Sequence, residues 1–541
     1  MGNIKLLDCT LRDGGYVNDW KFGKSHLNTV FERLVDSKVD IIEIGFLDER
    51  RPFDIDRSIM PDTRCVEKIY GHLDKKQAMV VGMIDYGTCS LENIQPCVES
   101  YLDGIRVIFK KHIMHEAMEY CRELKKLGYK VFSQLVSITS YDEQELIELI
   151  NLVNDVKPYA VSMVDTYGLL HPEELLQYYE ILDKYLCEDV EIGFHAHNNF
   201  QLGYANALAF IGKETKHDIV VDGTLYGMGK SAGNAPLELL AMRLNEKYGK
   251  SYHIASMMEC IEESIKGFYA ETQWGYNAFY YICAKNKCHP NYMSYYENKR
   301  NLSVSKIDHL LGMIEPNDKK LLYDKNIAED LYQKSLNEEY SDYKDKIAFA
   351  KEIAKKTILI IGPGKNIKLQ KQKVDQFINK YNPYVISINY VPEDMDIDCV
   401  FVTNGKRYHD MATLMYDRRD KIKFLATSNV ECRNGTFDFV INRAPLLEIT
   451  EKIIDNSFLM LLKFLQSIDV DTIACAGFDG YSDREDNYYN PAMEYCFVKN
   501  EAVNLNRHMK DAIDKYRETM HIEFITFSSY DIEEDINGAA I

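Results

Sequence analysis

Short apolar runs recur along the first 250 positions, separated by longer stretches in which apolar residues return every three or four places. The runs lie at 4–7, 41–44, 78–83, 104–109, 130–136, 160–164, 191–194 and 219–221. The longer stretches include 26–37, 114–127, 142–155 and 199–211. The runs read as buried strands and the stretches as amphipathic helices, and their alternation implies a parallel sheet. Eight β-α units of this kind predict a closed (β/α)8 TIM barrel over residues 1–250. A doubly wound open sheet is the competing architecture.

The pattern changes after 250. Residues 251–345 read as a helical extension and linker, rich in tyrosine around YNAFYYICAKNKCHPNYMSYYENK and closed by the charged stretch NEEYSDYKDK. From 355, TILIIGPGKNI reads as strand, Gly-rich turn and helix. YVISINY, CVFVTNG, IKFLATS, DFVINRA and TIACAGF are further strands, and 459–467 is a helix between two of them. Residues 355–541 are thus predicted to form a second, Rossmann-like α/β domain. The fold class is α/β throughout, with no internal repeat beyond the β-α period.

Composition narrows the function more than the fold. The 541 residues are 46% hydrophobic and 27% charged, as in soluble globular proteins. A net charge of -20 argues against nucleic acid or an anionic membrane as partner. The 13 cysteines include no C-x-x-C pair, so they read as reduced thiols of a cytoplasmic protein. No signal peptide and no long apolar run appear, so membrane insertion is not expected. MGNIKL begins like a myristoylation signal but has Leu6 where Ser or Thr is required.

In a barrel the chemistry sits where strands end and the following loops begin. Asp8, Arg12 and Asp13 follow the first strand, Glu43 lies on the second, and Asp85 follows the third. Gln134 lies on the fifth and Asp165 ends the sixth. His195 and His197 end the seventh, and the eighth leads into DGTLYGMGKSAGNAPLE with Asp222, Lys230 and Asn234. Alternate residues of an extended segment point to one side, so His195 and His197 present two imidazoles to one point. Two imidazoles and a carboxylate, with open positions left over, suit a catalytic divalent metal. Asp13 can supply the carboxylate and Asn234 an amide oxygen. Arg12 next to a metal can stabilise the enolate oxygen of a 2-oxo acid during carbon–carbon cleavage or condensation. Its alternative role is an ion pair with Glu43.

DCTLRDG, GFHAHNN and GMGKSAGNAPLE together resemble the DRE-TIM metallolyases, and within them most closely the 4-hydroxy-2-oxovalerate aldolases. The resemblance covers about residues 1–300. It implies Asp13, His195 and His197 as ligands of Mn2+ or Mg2+, with Zn2+ or Co2+ as alternatives. It also implies Arg12 as the enolate-stabilising residue, Asn234 near the metal, and a small 2-oxo acid such as pyruvate as substrate. Glu43, Asp165 and Lys230 are candidates for substrate contact. The aldolases continue into a helical segment with a G-Y-x-G-x-Y motif that lines the substrate site and contacts a partner enzyme. WGYNAFYY, with Tyr276 and Tyr280, is similar, so a homo-oligomer or a partner enzyme is implied.

Two positions depart from the aldolase pattern. Tyr16 stands where the aldolases carry a catalytic His, and tyrosine is a weak base near pH 7. The candidate bases are therefore Tyr16, His26 and a metal-bound water. Lys230 stands where the aldolases carry a small residue, and it either binds a substrate carboxylate or phosphate or is simply solvated. HMG-CoA lyases use a loop cysteine that YGMGKSAGN lacks. Isopropylmalate and citramalate synthases share the ligand set but carry Glu-Gln where Gly15 and Tyr16 stand. A Claisen-type acyl-CoA condensation is the alternative reaction, and a non-catalytic scaffold or binding protein is the third reading. In the C-terminal domain, GPGK at 362–365 can set backbone amides against a phosphate. The segment from NSFLMLL to AGFDGY resembles Rossmann-like domains of bacterial surface-glycan enzymes. That similarity makes Gly362, Gly364 and Asp479, with Gly477 and Gly480, candidates for nucleotide or phosphate binding.

Overall fold

The computed structural model describes residues 2–299, 301–414, 421–432, 436–448, 454–490 and 498–531. The start at Met1 and the final stretch 532–541 of the predicted second domain lie outside the described residues. The chain divides into two compact units, Met1–Ala328 and Glu329–Ile541.

The first unit is a closed parallel barrel. Its strands are β1 (Ile4–Asp8), β2 (Ile41–Leu47), β3 (Met79–Asp85), β4 (Gly104–Phe109), β5 (Lys130–Leu135), β6 (Ala160–Asp165), β7 (Glu191–Ala196) and β8 (Ile219–Gly223). Each pairs with the next, and β1 pairs with both β2 and β8, which closes the sheet. Outward-facing residues such as Ile42, Val80, Ile105, Val131, Val161, Ile192 and Val221 pack under the surrounding helices. Inward-facing residues form layers. Leu7, Ile41, Val81, Phe132, Ala160 and Val220 make a small apolar plug inside the barrel. Two residues further along the same strands, Glu43, Gln134, Ser162 and Asp222 point the same way, because side chains on a strand repeat with period two.

Seven α-helices follow the strands rather than eight: α1 (Lys24–Asp36), α2 (Thr63–Tyr70), α3 (Met114–Lys126), α4 (Glu143–Val156), α5 (Pro172–Tyr185), α6 (Gly203–Ile211) and α7 (Leu237–Tyr248). Between β3 and β4 the described chain makes only two short 3-10 turns, Leu91–Asn93 and Cys97–Glu99. Gly87, Ser90, Asn93 and Pro96 crowd that connection, and such residues favour turns over a helix. Where helices do form, their ends are sealed locally. Asp142 accepts from the Glu145 amide while Glu145 accepts from the Asp142 amide, a complete capping box on α4. Short helices continue the first unit beyond α7, among them Ala278–Lys285 and Pro290–Glu297.

Among its described residues the second unit carries seven parallel strands: β9 (Ile358–Ile361), β10 (Tyr384–Ile388), β11 (Cys399–Val402), β12 (Lys423–Thr427), β13 (Phe439–Ile441), β14 (Thr472–Ala476) and β15 (His521–Phe524). Their order is β13-β12-β11-β10-β9-β14-β15, so the first strand lies inside the sheet and the chain builds outward on both sides. The helix Tyr343–Ile353 precedes β9, and Asp342 and Asp345 accept the Asn442 and Val440 amides beside β13. The described cysteines are all free, and no described helix is long and apolar enough to cross a membrane.

Candidate metal centre

The loop after β1 turns back over its own strand. The Arg12 and Asp13 amides both donate to the Cys9 carbonyl, at 3.2 and 2.8 Å. Trp20 Nε1 donates to the Arg12 carbonyl and Ser58 Oγ to the Leu11 carbonyl, at 2.7 and 2.6 Å, which fixes the loop. On the other side His197, just past β7, forms a backbone bridge with Asn234 of the loop after β8. Gly229 in that loop has no room for a side chain: a Cβ would lie 2.2 Å from Asn234 Nδ2 and 2.8 Å from Asp13 Oδ2. The loop thereby closes directly onto Asp13.

These contacts bring Asp13, His195 and His197 together. Asp13 Oδ2 lies 3.3 Å from His197 Nε2 and 4.0 Å from His195 Nε2. Asn234 Nδ2 donates to the same oxygen at 2.5 Å. All four side chains are buried. Three of their atoms, His195 Nε2, His197 Nε2 and Asn234 Oδ1, lack a hydrogen-bond partner. A buried polar atom left unmade costs about 1–3 kcal/mol. Two of them, the imidazole nitrogens, converge beside the Asp13 carboxylate, a set that a cation would satisfy, so the residues present fit a divalent ion.

Their protonation states suit the same role. Burial pushes the Asp13 carboxyl up, but Arg12, His197 and His195 together hold it well below the usual carboxylate range. Burial lowers the His195 pKa more than its Asp222 hydrogen bond raises it, which keeps the ring neutral at pH 7. Each imidazole is aimed by its other nitrogen. His195 Nδ1 meets Asp222 Oδ2 at 3.0 Å, and His197 Nδ1 meets the Asp165 carbonyl at 3.0 Å. Such outer partners fix which nitrogen faces a metal.

Behind the triad runs a chain of buried charges. Arg12 Nη1 donates to Asp13 Oδ1 and Arg12 Nε to Glu43 Oε2, both at 2.7 Å. Arg106 Nη1 lies 3.2 Å from the same Glu43 oxygen, and its Nη2 donates to Asp222 Oδ2 at 2.5 Å. The ring Asp13–Arg12–Glu43–Arg106–Asp222–His195 therefore links the arginine beside the metal site to one of the imidazoles. Arg106 is fully buried and is absent from the strand-end reading. Its signal is a single arginine inside the otherwise apolar GIRVIF strand.

The other expected site residues are placed as follows. Glu43 is wholly buried and spends its bonded oxygen on Arg12 and Arg106, which places it behind Arg12. Asp165 accepts from the Leu169 and Leu170 amides, at 2.8 and 3.1 Å, so its carboxylate stabilises the loop after β6 while its carbonyl orients His197. Burial raises its pKa to about 6. Tyr16 edges the site with 42% of its surface exposed, and desolvation and then Asp13 push its phenol up to about 12, which favours the protonated form at neutral pH. His26 is committed to Ser264 Oγ, 3.0 Å away, and to the Phe268 ring. Tyr276 is 56% exposed, and no hydrogen bond or ring contact among the described residues joins it or Tyr280 to the triad. The extension instead brings His289 against Tyr167, ring centroids 5.4 Å apart. Lys230 does reach the site edge: its Nζ lies 5.3 Å from the Tyr16 ring centroid and 5.8 Å from that of Tyr167.

In the second unit Gly362, Gly364 and Asp479 are adjacent. The Gly362 amide donates to the Ala476 carbonyl and the Gly364 amide to the Gly477 carbonyl. The Asn366 amide donates to Asp479 Oδ2 at 2.8 Å. That amide is thus already bonded to a carboxylate of the protein.

Comparison with known proteins bears on the first unit. A family model described as HMGL-like matches residues 3–260. The 4-hydroxy-2-oxovalerate aldolase of Pelotomaculum thermopropionicum is 26% identical over 245 residues, which is 45% of this chain and 70% of that protein. The 2-isopropylmalate synthase of Sulfolobus acidocaldarius is 25% identical over 249 residues, 46% of this chain and 63% of that protein. Among solved structures, the N-terminal domain of a Bacteroides vulgatus protein described as an aldolase superposes with a TM-score of 0.48 at 22% identity, covering 56% of this chain and 99% of that one.

Proposed function

From the match of residues 3–260 to the HMGL-like family model, we propose that the barrel is a DRE-TIM metallolyase, a divalent-metal-dependent aldolase or lyase. In this reading it makes or breaks a carbon–carbon bond through the enolate of a 2-oxo acid such as pyruvate. Asp13, His195 and His197 hold the ion, with Asn234 Oδ1 as a further donor. The resemblance to the aldolases favours Mn2+ or Mg2+, and two imidazoles with a carboxylate also accept Zn2+ or Co2+. Cys9, beside His195, stays a thiol because burial raises its pKa. A divalent ion bound there acts as a Lewis acid on the carbonyl and carboxylate oxygens of the 2-oxo acid.

The observation that carries the reading is the state of Arg12. Two of its guanidinium nitrogens are tied, Nε to Glu43 and Nη1 to Asp13, which locks the plane of the group. Among the described residues Nη2 has no partner, so one rigidly held charged donor remains for an oxyanion formed beside Asp13. A donor that needs no reorganisation as charge develops stabilises the charged state most. Tyr16, protonated, contributes an O–H donor, and the substrate proton leaves through another group.

The acyl-CoA condensing alternative is disfavoured at Gly15, where those synthases carry Glu. A Cβ there would lie 2.0 Å from Trp20 Cδ1, and Trp20 is itself bonded to the Arg12 carbonyl.

The test is exchange of deuterium into the methyl group of pyruvate and its homologues, followed by NMR in D2O with the Mn2+-loaded protein. Exchange that stops on chelation is expected. Full metal occupancy without exchange on any 2-oxo acid would remove the reading. Tyr16→Phe is expected to leave the pH profile of exchange unchanged between about pH 6 and 9 and to alter its rate less than about tenfold. A basic limb that disappears with the hydroxyl would show that Tyr16 ionises after all.

A further inference from the structure

Lys230 stands beside the metal triad, and the enolate reading leaves its chemistry unused. It follows Gly229, whose backbone abuts Asp13 and Asn234. Its ammonium lies over the faces of Tyr16 and Tyr167. Among the described residues it makes no hydrogen bond and no ion pair, although the chain has 84 acidic residues to 64 basic ones. Aromatic faces hold a cation in place without neutralising it.

Burial lowers the Lys230 pKa, Asp13 opposes that and Arg12 adds to it, so an anion at its side would be the partner that favours its charge. His289 packs on the other side of Tyr167 and is held neutral: burial, then Lys230 and Lys110, lower its pKa to about 4. Lys110, exposed just past the end of β4, adds a second cation to the same edge. Asp85 is the acidic residue of this edge, and burial raises its pKa while Lys110 lowers it.

Charge counting then specifies a ligand. The buried ring holds three carboxylates, Asp13, Glu43 and Asp222, and two guanidiniums, Arg12 and Arg106, for a net -1. A divalent ion brings that to +1, with both imidazoles neutral as ligation requires. The carboxylate of a simple 2-oxo acid balances that +1. Asp165, outside the ring, spends its carboxylate on the Leu169 and Leu170 amides, and Lys230 makes no ion pair among the described residues, so its charge is left for a further anionic group.

Building on the enolate reading, we propose that Lys230 is a specificity-determining residue that binds a second anionic group, a carboxylate or phosphate at the far end of the 2-oxo acid. The substrate class is thus a dianionic 2-oxo acid rather than a monoanionic one. The metal edge takes the 2-oxo-acid end, and Lys230, between Tyr16 and Tyr167, takes the other.

Isothermal titration calorimetry on the Mn2+-loaded full-length protein tests this without turnover. The ligands are chain-length-matched pairs, 2-oxovalerate against 2-oxoglutarate and 2-oxohexanoate against 2-oxoadipate, with a phosphonate-terminated 2-oxo acid as a third arm. A dianion preference of about 10–100-fold is expected, the range of one charge-assisted hydrogen bond. Whichever of the carboxylate and phosphonate arms binds tighter identifies the anion. Lys230→Met is expected to bring each pair within about twofold, and Lys230→Arg to keep part of the preference. No preference in the wild type, or one that survives in Lys230→Met, overturns the proposal. Pyruvate exchange on the wild type tests the underlying reading separately. A Lys230-dependent preference without exchange would leave the anion site standing and remove the enolate chemistry, and exchange without a preference would do the reverse.

Discussion

Replacing His195 with alanine is expected to strip the divalent ion from the purified protein and return pyruvate exchange to the uncatalysed rate. His195 supplies one of three converging ligand atoms, and its Nε2 has no competing protein partner. Deleting it leaves Asp13 and His197 with half-open geometry. It also frees Asp222, which loses the imidazole and keeps Arg106. Loss of an outer partner of a metal ligand costs about 10–100-fold in affinity, so removing the ligand itself costs at least about 100-fold. Asp222→Asn should fall within the smaller range, because it weakens only the aim of the ring. Metal content by mass spectrometry and affinity by competition with a chelator check both. Wild-type affinity in His195→Ala would show that the ion, if bound, sits elsewhere.

Arg106→Met should be the most destabilising single change in the barrel interior. The methionine has nearly the length of the arginine stem, so packing is largely kept and the charge is lost. Glu43 and Asp222 then face each other's neighbourhood with one cation fewer. Breaking a buried ion pair by removing one partner costs about 3–5 kcal/mol. Urea unfolding should show that loss, and Glu43→Gln with Asp222→Asn in the same chain should recover part of it. A loss below about 1 kcal/mol would mean that water or a relaxed backbone already screens the two carboxylates. The same variant should raise the metal dissociation constant, since Asp222 and Arg12 both lean on Arg106 through the buried ring.

The barrel was legible because its evidence is local. An apolar run bounded by loops, repeated about every thirty residues, needs no knowledge of distant neighbours to be recognised. The His195 and His197 pair was legible for the same reason: two residues apart on an extended strand, they point one way. The exception among the units, the connection from β3 to β4, also carried its signal in Gly87, Ser90, Asn93 and Pro96. The eight-unit expectation overrode that signal.

What could not be read depends on partners that lie far apart in the chain. Glu43 and Asp165 look like site residues at strand ends, yet one is consumed by Arg12 and Arg106 and the other by the amides that follow it. Gly362 and Gly364 look like a phosphate turn, and only the fold sets β14 and Asp479 beside them. The protonation of Tyr16 is decided by burial and by Asp13, and the isolation of Lys230 by two tyrosines, from the loops after β1 and β6. The order of apolar and polar residues, acting through neighbouring backbone geometry, determined the strands, the barrel and the direction of the two imidazoles. Only the closed sheet decided which charges meet, which are desolvated and which donor is left free. Those outcomes are set by distances through the barrel interior, and such distances are not a property of sequence spacing.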